Sequence, residues 1–195
     1  MRDRSARPRS VGAMFPVGGV GVMLLLIAGS GVVLGAVTAL LALRFGWPWS
    51  ILLGLLLWSL VIIAVLTLIP PNGPPGVVSA EDRLAGCSWD IGGPAPDGFW
   101  IFPGGQRLLN AVAFVPSGVL LVLTAARWRS AWVTVPLGLV GLATYSTLIE
   151  LTQLAAARID RACDVTDIID NVTGAAIGVV IGLTALPVVR PWRLR

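Results

Sequence analysis

Five long apolar runs dominate this chain, at about residues 17–43, 51–69, 108–126, 131–149 and 168–189. Each approaches or exceeds the ~20 residues a helix needs to cross a hydrocarbon core. With 56% of residues apolar and only 12% charged, a soluble domain of 195 residues is excluded. A β-barrel would show short alternating segments instead. The expected fold is all-α, a multi-pass transmembrane bundle of about five spans. The opening MRDRSARPRSVG resembles the charged start of a signal peptide. The run behind it is too long for a signal core and has no clear small-residue cleavage site, so it reads as an uncleaved first span. A break at Gly29-Ser30-Gly31 would let that segment kink or re-enter.

The connections fall at 44–50, 70–107, 127–130 and 150–167. The second is rich in Gly and Pro with little periodicity, and depends on packing or a cross-link for order. Its Trp89 and Trp100 suit the headgroup level. Three regions result: 1–106, with two spans and this loop; 107–189, a core of three spans; and 190–195, a basic tail.

All fourteen basic residues are Arg, and there is no His. A pI near 10.4 could suggest nucleic acid. The arginines flank apolar spans, however, so charge-biased topology and anionic headgroups explain them and no nucleic-acid partner is expected. Arg44, Arg127, Arg129, Arg190, Arg193 and Arg195 fall on one side of a five-span chain, and Arg2, Arg4, Arg7 and Arg9 on the other. The short RWRS turn and the C-terminal tail are taken to mark the cytoplasmic side. The second connection, whose Glu81, Asp82, Asp90 and Asp97 outnumber its internal Arg83, and both cysteines, Cys87 and Cys163, then lie outside. In an oxidising exterior the two would form a disulfide between the second and fourth connections; the alternative is two unrelated thiols.

Against this apolar background, Glu150, Gln153, Arg158, Asp160, Arg161, Asp164, Asp167, Asp170 and Asn171 crowd into residues 150–171. Polar groups at membrane depth are costly and usually functional. Asp164 suits an N-cap and Asp167 the positive end of a helix dipole, which is a purely structural account of both. Asn171 lies a turn deeper on the same face, in line with Gly174, Gly178 and Gly182, a small-xxx-small stripe that admits a close neighbouring helix. Spans four and five should form an antiparallel hairpin, bringing Glu150 and Gln153 to Asp164, Asp167 and Asn171, with Arg158 and Arg161 as counter-charges. At the start of span three, Asn110 and Phe114 share a face, and Asn110 or Arg158 could donate to Glu150. Pro116 bends that span. The candidate polar pocket is Asn110, Glu150, Gln153, Arg158, Asp164, Asp167 and Asn171.

These motifs, NxxxFxPxG at Asn110, Phe114, Pro116 and Gly118, ExxQ at Glu150 and Gln153, Arg158, and Asp164, Asp167, Asn171, Gly174 and Gly178, together resemble the VanZ-like family of bacterial membrane proteins. The likeness covers about residues 107–185; the preceding LTLIPP also fits. AGCSWD at Cys87 and RACDVTD at Cys163 resemble cysteine segments of actinobacterial members. Several members carry a His upstream of span three that this chain lacks, so no role of that residue transfers.

The resemblance implies a multi-pass protein of the bacterial cytoplasmic membrane, whose namesake is associated with low-level teicoplanin resistance. It supplies no reaction. The leading expectation is a cell-envelope protein that binds a lipid-linked cell-wall precursor, a wall-related ligand or a glycopeptide in the polar pocket, with membrane lipids as its other partners. The alternative is a membrane-embedded enzyme using paired carboxylates such as Glu150 and Asp167 as acid and base. No Ser-His or Cys-His pairing and no phosphate loop is visible, so no residue is singled out as catalytic, and neither a metal nor a cofactor is expected. A transporter is a third reading, disfavoured by the lack of an inverted repeat. In the blandest reading the cluster only stabilises the hairpin.

Overall fold

The computed structural model describes residues 18–70, 86–89, 91, 105–156 and 163–191. They form five α-helices: α1 (Val20–Phe45), α2 (Trp47–Leu68), α3 (Gly105–Ala125), α4 (Ala131–Ala156) and α5 (Val165–Val189). All five contain segments long and apolar enough to cross a membrane. Helices are the form such runs must take, because lipid offers the backbone no hydrogen-bond partner. The hydroxyls follow the same rule: Thr67, Thr144, Thr147 and Thr173 each donate to the carbonyl four residues back.

The first connection is much tighter than the seven residues expected at 44–50. Only Gly46 separates α1 from α2. Its φ of 84° and ψ of 151° lie in a region open essentially to glycine. Pro48 falls in the first turn of α2, where its missing N–H costs nothing. The Ser50 hydroxyl closes that turn by donating to the Gly46 carbonyl at 2.9 Å. α1 is one continuous helix through Gly29-Ser30-Gly31, so the break considered there is not made. It leans on α2, with the Trp58 indole over Gly31 and its Nε1 donating to the Ile27 carbonyl at 3.1 Å. Its remaining surface is exposed, as a lipid-facing helix requires.

The core lies among the other four helices. Ile63 of α2, Phe114 of α3, Leu142 and Ile149 of α4 and Ala175 of α5 meet there. The closest pair is not the α4–α5 hairpin but α3 with α5, which run parallel because α4 carries the chain back between them. A side chain at Gly174 would strike the carbonyl of Ala111; one at Gly178 would strike that of Val115; and one at Gly182 would lie 3.1 Å from that of Val119. Each pair is offset by 63 residues, in steps of four, so the backbones touch along a regular ladder. Gly118 answers from α3, where a Cβ would collide with the Ala175 carbonyl. Without a hydrophobic drive between helices in lipid, such close van der Waals contact is a main source of association.

Buried polar links supplement it. Ser59 and Ser117 join α2 to α3 at 2.8 Å. The Tyr145 hydroxyl donates to the Leu60 carbonyl at 2.6 Å, joining α4 to α2.

The two ends of the bundle differ in charge. At one end lie Arg44, Arg127, Arg129 and Arg190, with no acid among the described residues there. Arg127 donates to the Phe45 carbonyl and stacks on Trp49 and Trp128, while Trp49 Nε1 donates to the Thr124 carbonyl at 3.1 Å. Glu150, Asp164, Asp167 and Asp170 all sit at the other end, with Arg107.

Candidate functional site

The acidic end is organised by a clamp on the start of α5. Cys87 and Cys163 are joined by a disulfide, with 4.5 Å between their Cα atoms. Beside it, Ser88 N–H donates to the Cys163 carbonyl at 2.8 Å, and Val165 N–H donates to the Ser88 carbonyl at 3.1 Å. Cys163 is fully buried. Asp164 then caps α5: its backbone is extended and its Oδ1 accepts from Thr166 N–H at 2.8 Å.

Glu150, at the last turns of α4, is buried to 2% exposure. Its Oε2 accepts the Asp164 N–H at 3.1 Å. A carboxylate from one helix therefore sits at the positive end of the next, where the dipole favours its charge. Gln153, a turn further along α4, turns the other way: its Nε2 donates to the Thr67 carbonyl at the end of α2, 3.0 Å away. Asn171 is buried and donates from Nδ2 to the Ser146 hydroxyl at 2.9 Å, so α5 is bonded to α4 within the bundle. Asp167 is half-buried and not free of partners.

Asn110 behaves differently from the expectation. It makes no bond to Glu150; its Nδ2 is buried and has no hydrogen-bond partner. Glu150 has instead been drawn to the α5 amide, because the clamp delivers that N–H to the end of α4. Arg158 and Arg161, the expected counter-charges, lie outside the described residues.

The ion pair seen among the described residues at this end is one that spacing alone did not single out. Arg107, at the start of α3, donates from Nε to Asp170 Oδ2 at 2.8 Å and from Nη2 to Oδ1 at 2.9 Å. Asp170 precedes Gly174 by one helical turn, on the very stripe that packs on α3, and this was the available signal. The Arg107–Asp170 offset is again 63, so the pair is the outermost rung of the glycine ladder. Asp170 is buried, whereas 42% of the Arg107 side chain stays exposed.

The site therefore unites Glu150 with Asp164, Asn171 with Ser146, Gln153 with Thr67, and Arg107 with Asp170. It leaves one buried amide donor, Asn110 Nδ2, unspent. Among the described residues no three acidic or thiol side chains converge as metal ligands.

A bundle of five apolar helices with a polar, partly buried cluster at one end defines a polytopic membrane protein with a candidate site at the membrane surface. Within that class the sequence model of the VanZ/LLP1 family matches residues 55–186. The match covers about two thirds of the chain, from within α2 to near the end of α5, and the chain belongs to that family. It extends well ahead of the 107–185 segment that carries the motifs. No curated protein and no solved structure gives a significant match.

Proposed function

We propose that this chain is a cell-envelope protein of the bacterial cytoplasmic membrane whose polar end binds a lipid-linked or wall-related ligand and thereby lowers susceptibility to a glycopeptide such as teicoplanin. The observation that carries the proposal is the Asn110 amide, a buried donor without an acceptor. It lies at the end of a bundle where Glu150, Gln153, Asn171 and Asp170 are all bonded. Leaving such a group unmet in a membrane protein costs free energy that a ligand's acceptor would recover. In this proposal the end with the RWRS turn and the C-terminal tail faces the cytoplasm and the disulfide end faces the oxidising exterior. The disulfide is the physical preference that supports it, since in a five-span chain Arg2, Arg4, Arg7 and Arg9 fall on the disulfide side and balance the arginine count.

The test is teicoplanin susceptibility in a sensitive host expressing the chain. Asn110→Leu removes an unsatisfied donor, so it should leave expression and thermal stability intact while abolishing protection. Glu150→Gln and Asp167→Asn should likewise reach the membrane and lose protection. Full protection by Asn110→Leu would overturn the proposal. Failure of the two carboxylate variants to accumulate would assign those residues to holding α4 and α5 together.

A further inference from the structure

Arg107 has the chemistry of a receptor held ready. Its guanidinium presents two usable edges in a fixed planar fork. The Nε–Nη2 edge is committed to both oxygens of Asp170. No described residue takes the other edge, formed by Nη1 and the second N–H of Nη2, and the side chain is 42% exposed. Asn110 follows three residues later on the same face of α3, about 4.5 Å further into the membrane by helical rise. Its Nδ2 is the buried donor without a partner.

Each carboxylate nearby already holds a partner. Asp170 holds Arg107, Asp164 holds the Thr166 amide, Glu150 holds the Asp164 amide, and Asp167 is not free. What this face of α3 offers a ligand includes donor capacity: a cationic fork edge with an amide N–H beneath it. That set suits a tetrahedral oxyanion, which can give two oxygens to the fork and a third to the amide. Arg107 opens the third candidate span, a position that suits the fork to the depth of lipid headgroups. Asp164 and Asp167 lie close enough for their negative field to reach Arg107. That field disfavours a multiply charged free ion arriving from water. It favours a phosphate of low charge kept at the surface by its own lipid tail.

We infer that the part of the ligand recognised at this end is a lipid-borne phosphate, received by the open edge of Arg107 and by Asn110 Nδ2, with Asp170 as the positioning residue. The inference rests on the proposal that the polar end is a binding site, and names the chemical class bound there.

The test uses the purified full chain with its disulfide intact, in detergent, and reads retained lipid by native mass spectrometry. The probes are a polyprenyl phosphate against the matching polyprenol, and phosphatidylglycerol against diacylglycerol. Wild type should retain the phosphorylated member of each pair about tenfold better, the scale of a charge-assisted hydrogen bond. Arg107→Gln and Asn110→Leu should each remove most of that preference. Arg107→Lys should fall between, since an ammonium keeps the charge and loses the fork.

Millimolar inorganic phosphate should not displace the lipid. Displacement would keep phosphate as the recognised chemistry and overturn the lipid as its source. Equal retention of phosphorylated and neutral lipids by wild type would overturn the inference outright, whatever the variants do. If protection is lost in Asn110→Leu while wild type shows no phosphate preference, the site stands and its ligand class falls. Intact protection in Asn110→Leu would instead remove the site itself.

Discussion

Replacing Gly174 by alanine tests the α3–α5 ladder most directly. A Cβ there would lie 2.6 Å from the Ala111 carbonyl carbon and 2.8 Å from its Cα, with the carbonyl oxygen nearer still, whereas ordinary contact begins near 3.4 Å. The obstruction is backbone, which cannot rotate aside, so α5 must withdraw by about 0.8 Å or more at this rung. A gap of that size forfeits roughly a quarter to a half of each contact's attraction at neighbouring rungs. Overpacking of this kind costs about 1–3 kcal/mol. The gain in helix propensity returns about 0.5–1 kcal/mol, leaving a net loss of up to about 2.5 kcal/mol. Gly141, on the exposed face of α4, is the control: a Cβ there meets nothing within 4 Å. Gly141→Ala should be neutral or stabilise by up to about 1 kcal/mol. Unfolding by SDS titration in mixed micelles, followed by tryptophan emission, compares the two. If Gly174→Ala proves as stable as Gly141→Ala, the close contact is not what holds α3 to α5. Where Gly174→Ala destabilises as expected, adding Gly178→Ala should cost less than it does alone, because the first substitution has already moved the helix.

Two further outcomes follow from the contacts at the polar end. The Cys87–Cys163 bridge spans 76 residues, and Cys87→Ser with Cys163→Ser should lower stability by about 2–4 kcal/mol. Wild type should also migrate faster without reductant than with it on gel electrophoresis, and identical migration of protein from intact cells would refute the bridge. Asn171→Leu deletes the buried bond to Ser146 and should cost about 1 kcal/mol in the same SDS titration. The double variant with Ser146→Ala should cost little more than Asn171→Leu, and a strictly additive result would show that the two side chains do not act as a pair.

Five spans were legible because apolar length is a strong signal and lipid leaves the backbone one solution. The extent of α1 and α2 was harder to read, since 44–50 looked like a connection. Polar composition and tryptophans mark a membrane edge, yet Gly46 with Pro48 lets both helices run into it. The glycine stripe announced a close neighbour without naming it. Chain proximity pointed to α4, but the glycines lie against α3, which offers Ala111, Val115 and Gly118 at helical spacing. Asp170 went unselected because Asp164, Asp167 and Asn171 form one tidy line. In the structure Asp170 and Asn171 are both buried, facing Arg107 and Ser146 respectively, while Asp167 is only half-buried. Arg107 was counted as the end of a loop, since an arginine beside an apolar run has an ordinary interfacial explanation.

The constant offset joins packing to the site. Arg107 with Asp170, Ala111 with Gly174, Val115 with Gly178 and Val119 with Gly182 are successive rungs of one parallel ladder. At Gly174 and Gly178 the α3 backbone leaves no room for a side chain, at Gly182 a Cβ would meet the Val122 side chain with the Val119 carbonyl 3.1 Å away, and the fourth rung is a paired fork. The glycines therefore set the register that brings the Asp170 carboxylate opposite Arg107, and a slip of one residue would carry it some 100° around the helix axis. Asn110 is adjacent to Ala111, the residue at the first glycine contact, so its height relative to α5 is set by the same rung. Loosening that rung should act at the membrane surface as well as in the core. Gly174→Ala should weaken retention of a phosphorylated lipid although it removes no polar group, whereas Gly182→Ala, at the far end of the ladder, should lower stability and leave that retention nearly unchanged. Retention unchanged by either substitution would mean that register at the site is kept by the Cys87–Cys163 clamp and not by the ladder.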